Sequence, residues 1–287
     1  MATRTRISAS EITETISRLC MDANFDLGDD VLGALIKSGK EEESPVAREV
    51  LGELLENAEI ARSCRMPLCQ DTGVAVVFAE IGEDVEITGG HLYDAIQAGV
   101  RLGYKGGYLR KSIVADPLNR VNTGDNTPAI IHTELIPGNC LKISFMAKGG
   151  GCENMSRIAM LTPADGREGV IRFVVETVKL AQANPCPPVI VGVGIGGTFD
   201  YAPLLAKKSL LRPLGTPHPD ADTGALEREM LEKVNGLGIG AQGLGGRITA
   251  LALHVERHPC HIASLPVAVN MECHSHRVKT AVLGAGA

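Results

Sequence analysis

Residues 189–195 read Val-Ile-Val-Gly-Val-Gly-Ile, an almost wholly apolar run with no polar face. A strand of this kind belongs to a sheet covered on both sides, which restricts the chain to layered α/β architecture. The surrounding pattern agrees. Residues 8–63 read helical: Ser8 or Ser10 with Glu11 and Glu14 gives a capped start, and Ile12, Ile16, Leu19 and Cys20 follow at helical spacing. A second helix begins at Val31, after the acidic turn Gly28-Asp29-Asp30, and a third near Ser44-Pro45. The period then changes. Residues 73–80 form a β-branched run, 91–102 are helical, and strands at 129–135 and 141–147 flank the turn Pro137-Gly138-Asn139. A helix over 169–183 precedes the apolar strand, helices follow at 201–210 and 224–237, and late strands fall at 249–255 and 265–270. The expected fold class is α/β: a helical N-terminal segment followed by a mixed α/β body. It is read as one domain over 1–287, with segment 1–63 packed on body 64–287.

Apolar residues make up 44% of the chain, enough for a substantial core, and with no Trp and 3% aromatics that core must be aliphatic. A net charge of −6 argues against nucleic-acid binding. No run has the length of a membrane span, and the first residues lack the apolar stretch of a signal peptide, so a cytoplasmic protein with no membrane partner is expected. Eight cysteines without a secretory signal argue against a disulfide framework, and the absence of any C-x-x-C pair argues against a zinc ribbon or ferredoxin run.

Three cysteines stand apart by their surroundings: Cys69 in Cys69-Gln70-Asp71-Thr72-Gly73, Cys186 in Asn184-Pro185-Cys186-Pro187-Pro188, and Cys273 in Glu272-Cys273-His274-Ser275-His276-Arg277. Three thiolates from distant loops can hold three corners of a 4Fe-4S cluster, leaving the fourth iron open to a substrate. That arrangement points to a hydro-lyase rather than an electron carrier. Lys148-Gly149-Gly150-Gly151-Cys152-Glu153-Asn154 would expose successive backbone N–H groups after a strand, a nest for carboxylate oxygens. It lacks the Gly-Lys-Ser/Thr ending of a phosphate loop, and Gly192-x-Gly194-x-Gly196-Gly197 starts inside a strand and fits the dinucleotide fingerprint poorly. Arg110-Lys111-Ser112, with Asn122-Thr123-Gly124 nearby, offers a guanidinium suited to a dicarboxylate. The thiols and histidines between His258 and Arg277 keep a zinc site open as a rival, which an exposed loop pairing Cys273 with His274 and His276 would support.

Taken in order, Cys69-Gln70-Asp71-Thr72-Gly73, Asn122-Thr123-Gly124, Lys148-Gly149-Gly150-Gly151, Cys186-Pro187-Pro188, Gly238-Ile239-Gly240-Ala241-Gln242-Gly243 and Cys273 resemble the class I, iron–sulfur fumarate hydratases and the related L-tartrate dehydratases. The resemblance runs from about residue 10 to the C-terminus and covers the α-subunit part of that family. It implies cluster ligands Cys69, Cys186 and Cys273, with Cys152 standing where many relatives carry Ser. It implies substrate contacts at Gln70, Asp71, Arg110 and the Gly150 backbone, and an active-site histidine at His261. A separate β-subunit is expected to complete the site, in an (αβ)2 or higher oligomer acting on a small dicarboxylate. The expected reaction is reversible hydration of fumarate to L-malate. Asp71 transfers the proton with His261 assisting, and Arg110 and the amides of Gly149, Gly150 and Gly151 stabilise charge. The stretch 148–154 looks more like the fumarases. The alternatives are an L-tartrate or other hydroxy-dicarboxylate dehydratase α-subunit and a non-catalytic metal-binding module.

Overall fold

The computed structural model describes residues 4–284. It is a mixed α/β chain whose described residues form two compact units, one built from residues 4–28, 58–149 and 277–284, the other from 29–57 and 150–276. The division passes through two of the singled-out motifs, between Gly149 and Gly150 and between His276 and Arg277.

The first unit contains β1 (Thr5–Ser8), α1 (Ala9–Phe25), β2 (Val74–Gly82), β3 (Val85–Thr88), α4 (Leu92–Gly106), β4 (Ile130–Ile136), β5 (Leu141–Lys148) and β10 (Val278–Leu283). Helices α2 (Asp29–Glu41) and α3 (Pro45–Cys64) lie between α1 and β2 in the chain. Four strands pair in the order β10-β5-β2-β4, antiparallel except for the parallel β2–β4 pair, while β1 and β3 make a separate parallel ribbon. The side chain of Ser8 caps α1 by accepting from the Glu11 N–H at 3.1 Å, as the sequence suggests. The buried stripe Ile12, Ile16, Leu19, Cys20 and Ala23 faces α4 and the sheet, packing with Ile96, Val100, Ile143 and Phe145. Contact between α1 and α4 is close because α4 places glycines on the shared face. A Cβ on Gly99 would come 2.6 Å from Ile16 Cβ, and one on Gly103 would come 2.7 Å from Cys20 Cβ.

In the second unit the order is β6 (Arg157–Leu161), β9 (Leu265–Glu272), β7 (Val189–Gly197), β8 (Ala250–Cys260). β7 runs parallel to β8 and antiparallel to β9. The apolar run is therefore a central strand, and Val189, Val191 and Val193 are fully buried against Val174, Val178, Met230 and Val234 of α6 (Gly166–Ala181) and α8 (Ala221–Asn235). Its glycines admit α7 (Tyr201–Ser209): Cβ atoms on Gly192 and Gly194 would overlap the carbonyl oxygens of Ala206 and Ala202. They serve strand–helix packing, in keeping with the poor fit to a dinucleotide loop. Glu42, 1% exposed, accepts from the backbone N–H groups of Glu43, Ser44, Arg247 and Ile248, anchoring the glycine-rich 238–247 segment. Among the described residues no helix is long and apolar enough to cross a membrane.

Candidate functional site

In the first unit the chemistry-bearing residues gather at one end of the sheet, because register dictates it. Val74 of β2 pairs with Lys148 of β5, and Val278 of β10 pairs with Met146. Gly73, Gly149 and Arg277, each one residue outside a strand, are thus brought together. Gly73 sits at φ +77°, where a Cβ would approach the Ala147 carbonyl carbon to 2.7 Å, so this position requires glycine. Its N–H donates to Asp71 Oδ1 at 3.0 Å, closing an Asx turn. The Thr72 hydroxyl donates to the Arg110 carbonyl at 3.0 Å, which draws the exposed Arg110 beside the turn. The hydroxyl of Tyr104, fully buried, reaches Thr72 O at 2.7 Å and Gly73 O at 3.0 Å. Asn126, also fully buried and left-handed at φ +63°, donates to Gly73 O and accepts from Ser112 N–H. Arg277, 2% exposed, donates from Nη1 to the Asp71 carbonyl and from the same nitrogen to Asn24 Oδ1. Gly149 lies over this group: a Cβ there would stand 3.1 Å from Arg277 Nη2 and 3.6 Å from Asp71 Oδ2. Cys69 is half-buried, its Sγ 3.3 Å from Oε1 of the exposed Gln70. This unit therefore brings Cys69, Gln70, Asp71, Arg110 and Gly149 into one neighbourhood.

The second unit assembles another group at the start of β7. Ile190 pairs with Glu272 and Val189 with Ala250, so the segments before β7, after β9 and before β8 meet there. Cys186, exposed, has φ +54°, a conformation that costs a side-chain-bearing residue about 1–2 kcal/mol. Its carbonyl lies 3.0 Å from His274 Nδ1. Cys152 Sγ donates to Pro185 O at 3.5 Å, and the ligand atoms of Cys152, Glu272 and Cys273 all lie within 4.8 Å of one another, each residue buried. Two soft sulfurs and a carboxylate this close suit a thiophilic metal centre. None of the eight cysteines is in a disulfide.

The three consecutive glycines do not form the expected nest. Gly150–Glu153 is a single helical turn, α5, closed by Asn154 N–H to Gly150 O at 3.0 Å, and none of the three takes the left-handed conformation that a nest alternates with. Gly151 packs against Asn184, its notional Cβ 3.2 Å from that carbonyl. The exposed zinc loop is likewise absent. Cys273 and His276 are buried and His274 is half-buried, and no histidine joins the close group of potential ligands among the described residues.

His261 is placed elsewhere in the second unit. It lies in the 261–264 connection between β8 and β9, which bridges the far end of β7, where Gly197 pairs with Cys260. Cys186 and Cys273 lie beyond the opposite end of that nine-residue strand, roughly 26 Å away along its axis. His261 is exposed, its Nδ1 accepts from Ala263 N–H at 3.1 Å, and it borders a cavity of about 540 Å3 with Thr198, Tyr201, His258 and Cys260. The fold thus does not bring His261 to the Cys186 and Cys273 loops of its own unit.

The sequence profile described as "Fumarate hydratase (Fumerase)" matches residues 13–282. A Methanocaldococcus jannaschii protein, provisionally named L(+)-tartrate dehydratase subunit alpha, is 43% identical over 275 residues, 93% of this chain and 95% of that protein. The L(+)-tartrate dehydratase subunit alpha of Escherichia coli (strain K12) is 32% identical over 282 residues, 97% of this chain and 92% of that protein, and the same figures hold for that of Shigella boydii serotype 4. The chain belongs to this fumarate hydratase and tartrate dehydratase α family of hydro-lyases.

Proposed function

We propose that this hydro-lyase of the fumarate hydratase family is the α-subunit of a two-subunit iron–sulfur enzyme removing water from a small hydroxy-dicarboxylate. Cys69, Cys186 and Cys273 are the proposed holders of a 4Fe-4S cluster. The observation that best supports a metal centre here is the grouping of buried Cys273 with Cys152 and Glu272 beside the loop of Cys186, while Cys69 is assigned from its motif. When bound, such a cluster with one iron lacking a protein thiolate supplies a Lewis acid toward a substrate hydroxyl. Asp71 is the proposed proton carrier. One of its oxygens is engaged by Gly73 N–H, its main chain is fixed by buried Arg277, and its Oδ2 faces the side of Gly149 where a Cβ is missing. Gln70, Arg110 and the amides of Gly149, Gly150 and Gly151 are the proposed carboxylate and oxygen contacts. Since His261 lies a strand's length from the thiol loops of its own unit, it would serve such a centre only in another copy of the chain, within an (αβ)2 or larger assembly.

L-malate, interconverted with fumarate, and L-tartrate are the two candidate hydroxy-dicarboxylate substrates. The 148–154 motif favours the first and the names of the relatives favour the second. The two differ by one hydroxyl, and a site built to hydrogen-bond that hydroxyl discriminates strongly against the analogue lacking it. Co-expression with a β-subunit, anaerobic purification and assay on L-malate and L-tartrate should give turnover of one or both. Replacement Cys186→Ser should remove iron, and Cys152→Ser should retain it. A metal content of zinc with no cluster signal in EPR, or an iron-loaded complex idle on both substrates, sinks the reading.

A further inference from the structure

The motif Gly238-Ile239-Gly240-Ala241-Gln242-Gly243 carries no chemistry of its own in the sequence, yet it folds directly onto the Cys186 loop. Gln242 N–H donates to Pro187 O at 2.7 Å, and Gln242 Nε2 donates to the same oxygen at 3.1 Å. Gly243 lacks a side chain where a Cβ would overlap that of Ala183. The motif therefore grips the chain on both sides of Cys186. Gln242 is itself left-handed at φ +51°, so two side-chain-bearing residues in this uncommon conformation stand on facing loops.

The third member is His274, next in sequence to Cys273. Its Nδ1 lies 3.0 Å from Cys186 O and 3.3 Å from Gln242 Nε2. A carbonyl oxygen only accepts, so the shorter contact assigns the ring proton to Nδ1, and the Gln242 amide hydrogens are directed to Pro187 O. One residue thus ties the Cys186 carbonyl to the Cys273 loop, and a second ties the next carbonyl to the glycine-rich loop. Cys186 itself is exposed, its N–H donating to Ala183 O at 2.9 Å between the buried Pro185 and Pro187.

We propose that Gln242 and His274 are positioning residues for the metal-holding thiols: together they clamp Cys186 in its left-handed conformation and couple its loop to that of Cys273. The inference rests on Cys186 and Cys273 being ligands and adds what orients them. Outer partners that orient ligands typically contribute 10–100-fold to metal affinity. The full-length chain, reconstituted anaerobically with ferrous iron and sulfide, should release iron to a ferrous chelator about tenfold faster when carrying His274→Ala or Gln242→Ala, with an altered EPR spectrum of the oxidised form. His274→Asn, whose Nδ2–H can replace Nδ1–H, should restore slow release. The metal-free variants should unfold at the temperature of the metal-free parent, which separates positioning from general stability. Wild-type release rates in both alanine variants, alongside iron loss in Cys186→Ser, overturn the clamp and leave the ligand assignment standing. Equal rates for His274→Ala and His274→Asn also overturn it. Full iron retention in Cys186→Ser overturns the ligand assignment, and the clamp with it.

Discussion

Replacing Tyr104 by Phe removes one oxygen atom and tests how the Cys69 turn is held. The hydroxyl is fully buried, 2.7 Å from Thr72 O and 3.0 Å from Gly73 O. Burial pushes its pKa up, so it remains a donor throughout the neutral range. Gly73 O keeps a second donor in Asn126 Nδ2 at 3.2 Å, whereas Thr72, 1% exposed, loses the donor from Tyr104. The cost is one net hydrogen bond, about 1 kcal/mol, plus part of the 1–3 kcal/mol penalty of a desolvated carbonyl, giving about 2 kcal/mol. Phe fills nearly the same volume, so no cavity cost is added. Urea unfolding of the chain should show a lower midpoint at unchanged slope. Amide exchange at Gly73 should quicken by about 30-fold, which is 2 kcal/mol expressed as a population of open turn. A loss below about 0.5 kcal/mol, or unchanged exchange at Gly73, would show that this hydroxyl does not hold the turn.

Other consequences are sharper at single positions. Gly73→Ala combines a left-handed backbone with a 2.7 Å approach to the Ala147 backbone and should destabilise by about 2–5 kcal/mol in the same unfolding assay. Glu42→Gln should cost about 2–4 kcal/mol, since an amide NH2 would replace an acceptor surrounded by donors. Burial raises the Glu42 pKa, but its backbone N–H bonds outweigh that and leave it below the ordinary 4.5. Its contribution is therefore complete above that pH and is lost as pH falls through the folded value, a loss the Gln variant should not show. His254, 4% exposed, is pushed down to about 4 by burial and then by nearby Arg212. Between pH 6.5 and 4 the unfolded chain binds the extra proton, so unfolding free energy should fall by up to about 3 kcal/mol, and His254→Gln should flatten that slope.

Much of the fold is legible from periodicity, because it is set by local burial. The helices α1–α4 and α6–α8 and the strands β2, β4, β5 and β7–β9 fall where apolar spacing puts them. What escapes the sequence is short and non-local. β1, β3, β6 and β10 have four to six residues, and each is a strand only by virtue of a partner far along the chain, as Thr5 with Val85 or Arg157 with Val269. The same holds at the site. Neighbouring Pro, Gly and polar residues single out Cys69, Cys186 and Cys273 as candidates, whereas the closeness of Cys152 and Glu272 to Cys273 is seen only in the fold. Arg277 under Asp71, Glu42 under Arg247 and Gln242 against Pro187 act across 206, 205 and 55 residues, and no local pattern carries that. The glycine run 149–151 misleads for the opposite reason. Glycine is permissive, so its sequence does not distinguish a nest from a helical turn packed closely against Asn184.

The placement of the chemistry follows from sheet register more than from the loops that carry it. Within the first unit, the pairings Val74 with Lys148 and Val278 with Met146 put Gly73, Gly149 and Arg277 just outside three adjacent strand ends. Within the second, Ile190 with Glu272 and Val189 with Ala250 do the same for the segments holding Cys186, Cys273 and Gln242. A one-residue slip of β10 would reverse the faces of its side chains and turn Arg277 away from Asp71. A slip of β9 would carry Cys273 about 3.3 Å along the sheet and out of the 4.8 Å group with Cys152 and Glu272. If the proposed thiols hold a metal, substitutions that unsettle β9 or β10 at positions away from Cys273 should therefore weaken metal retention before they unfold the chain, and those confined to the exposed 261–264 connection should leave it intact.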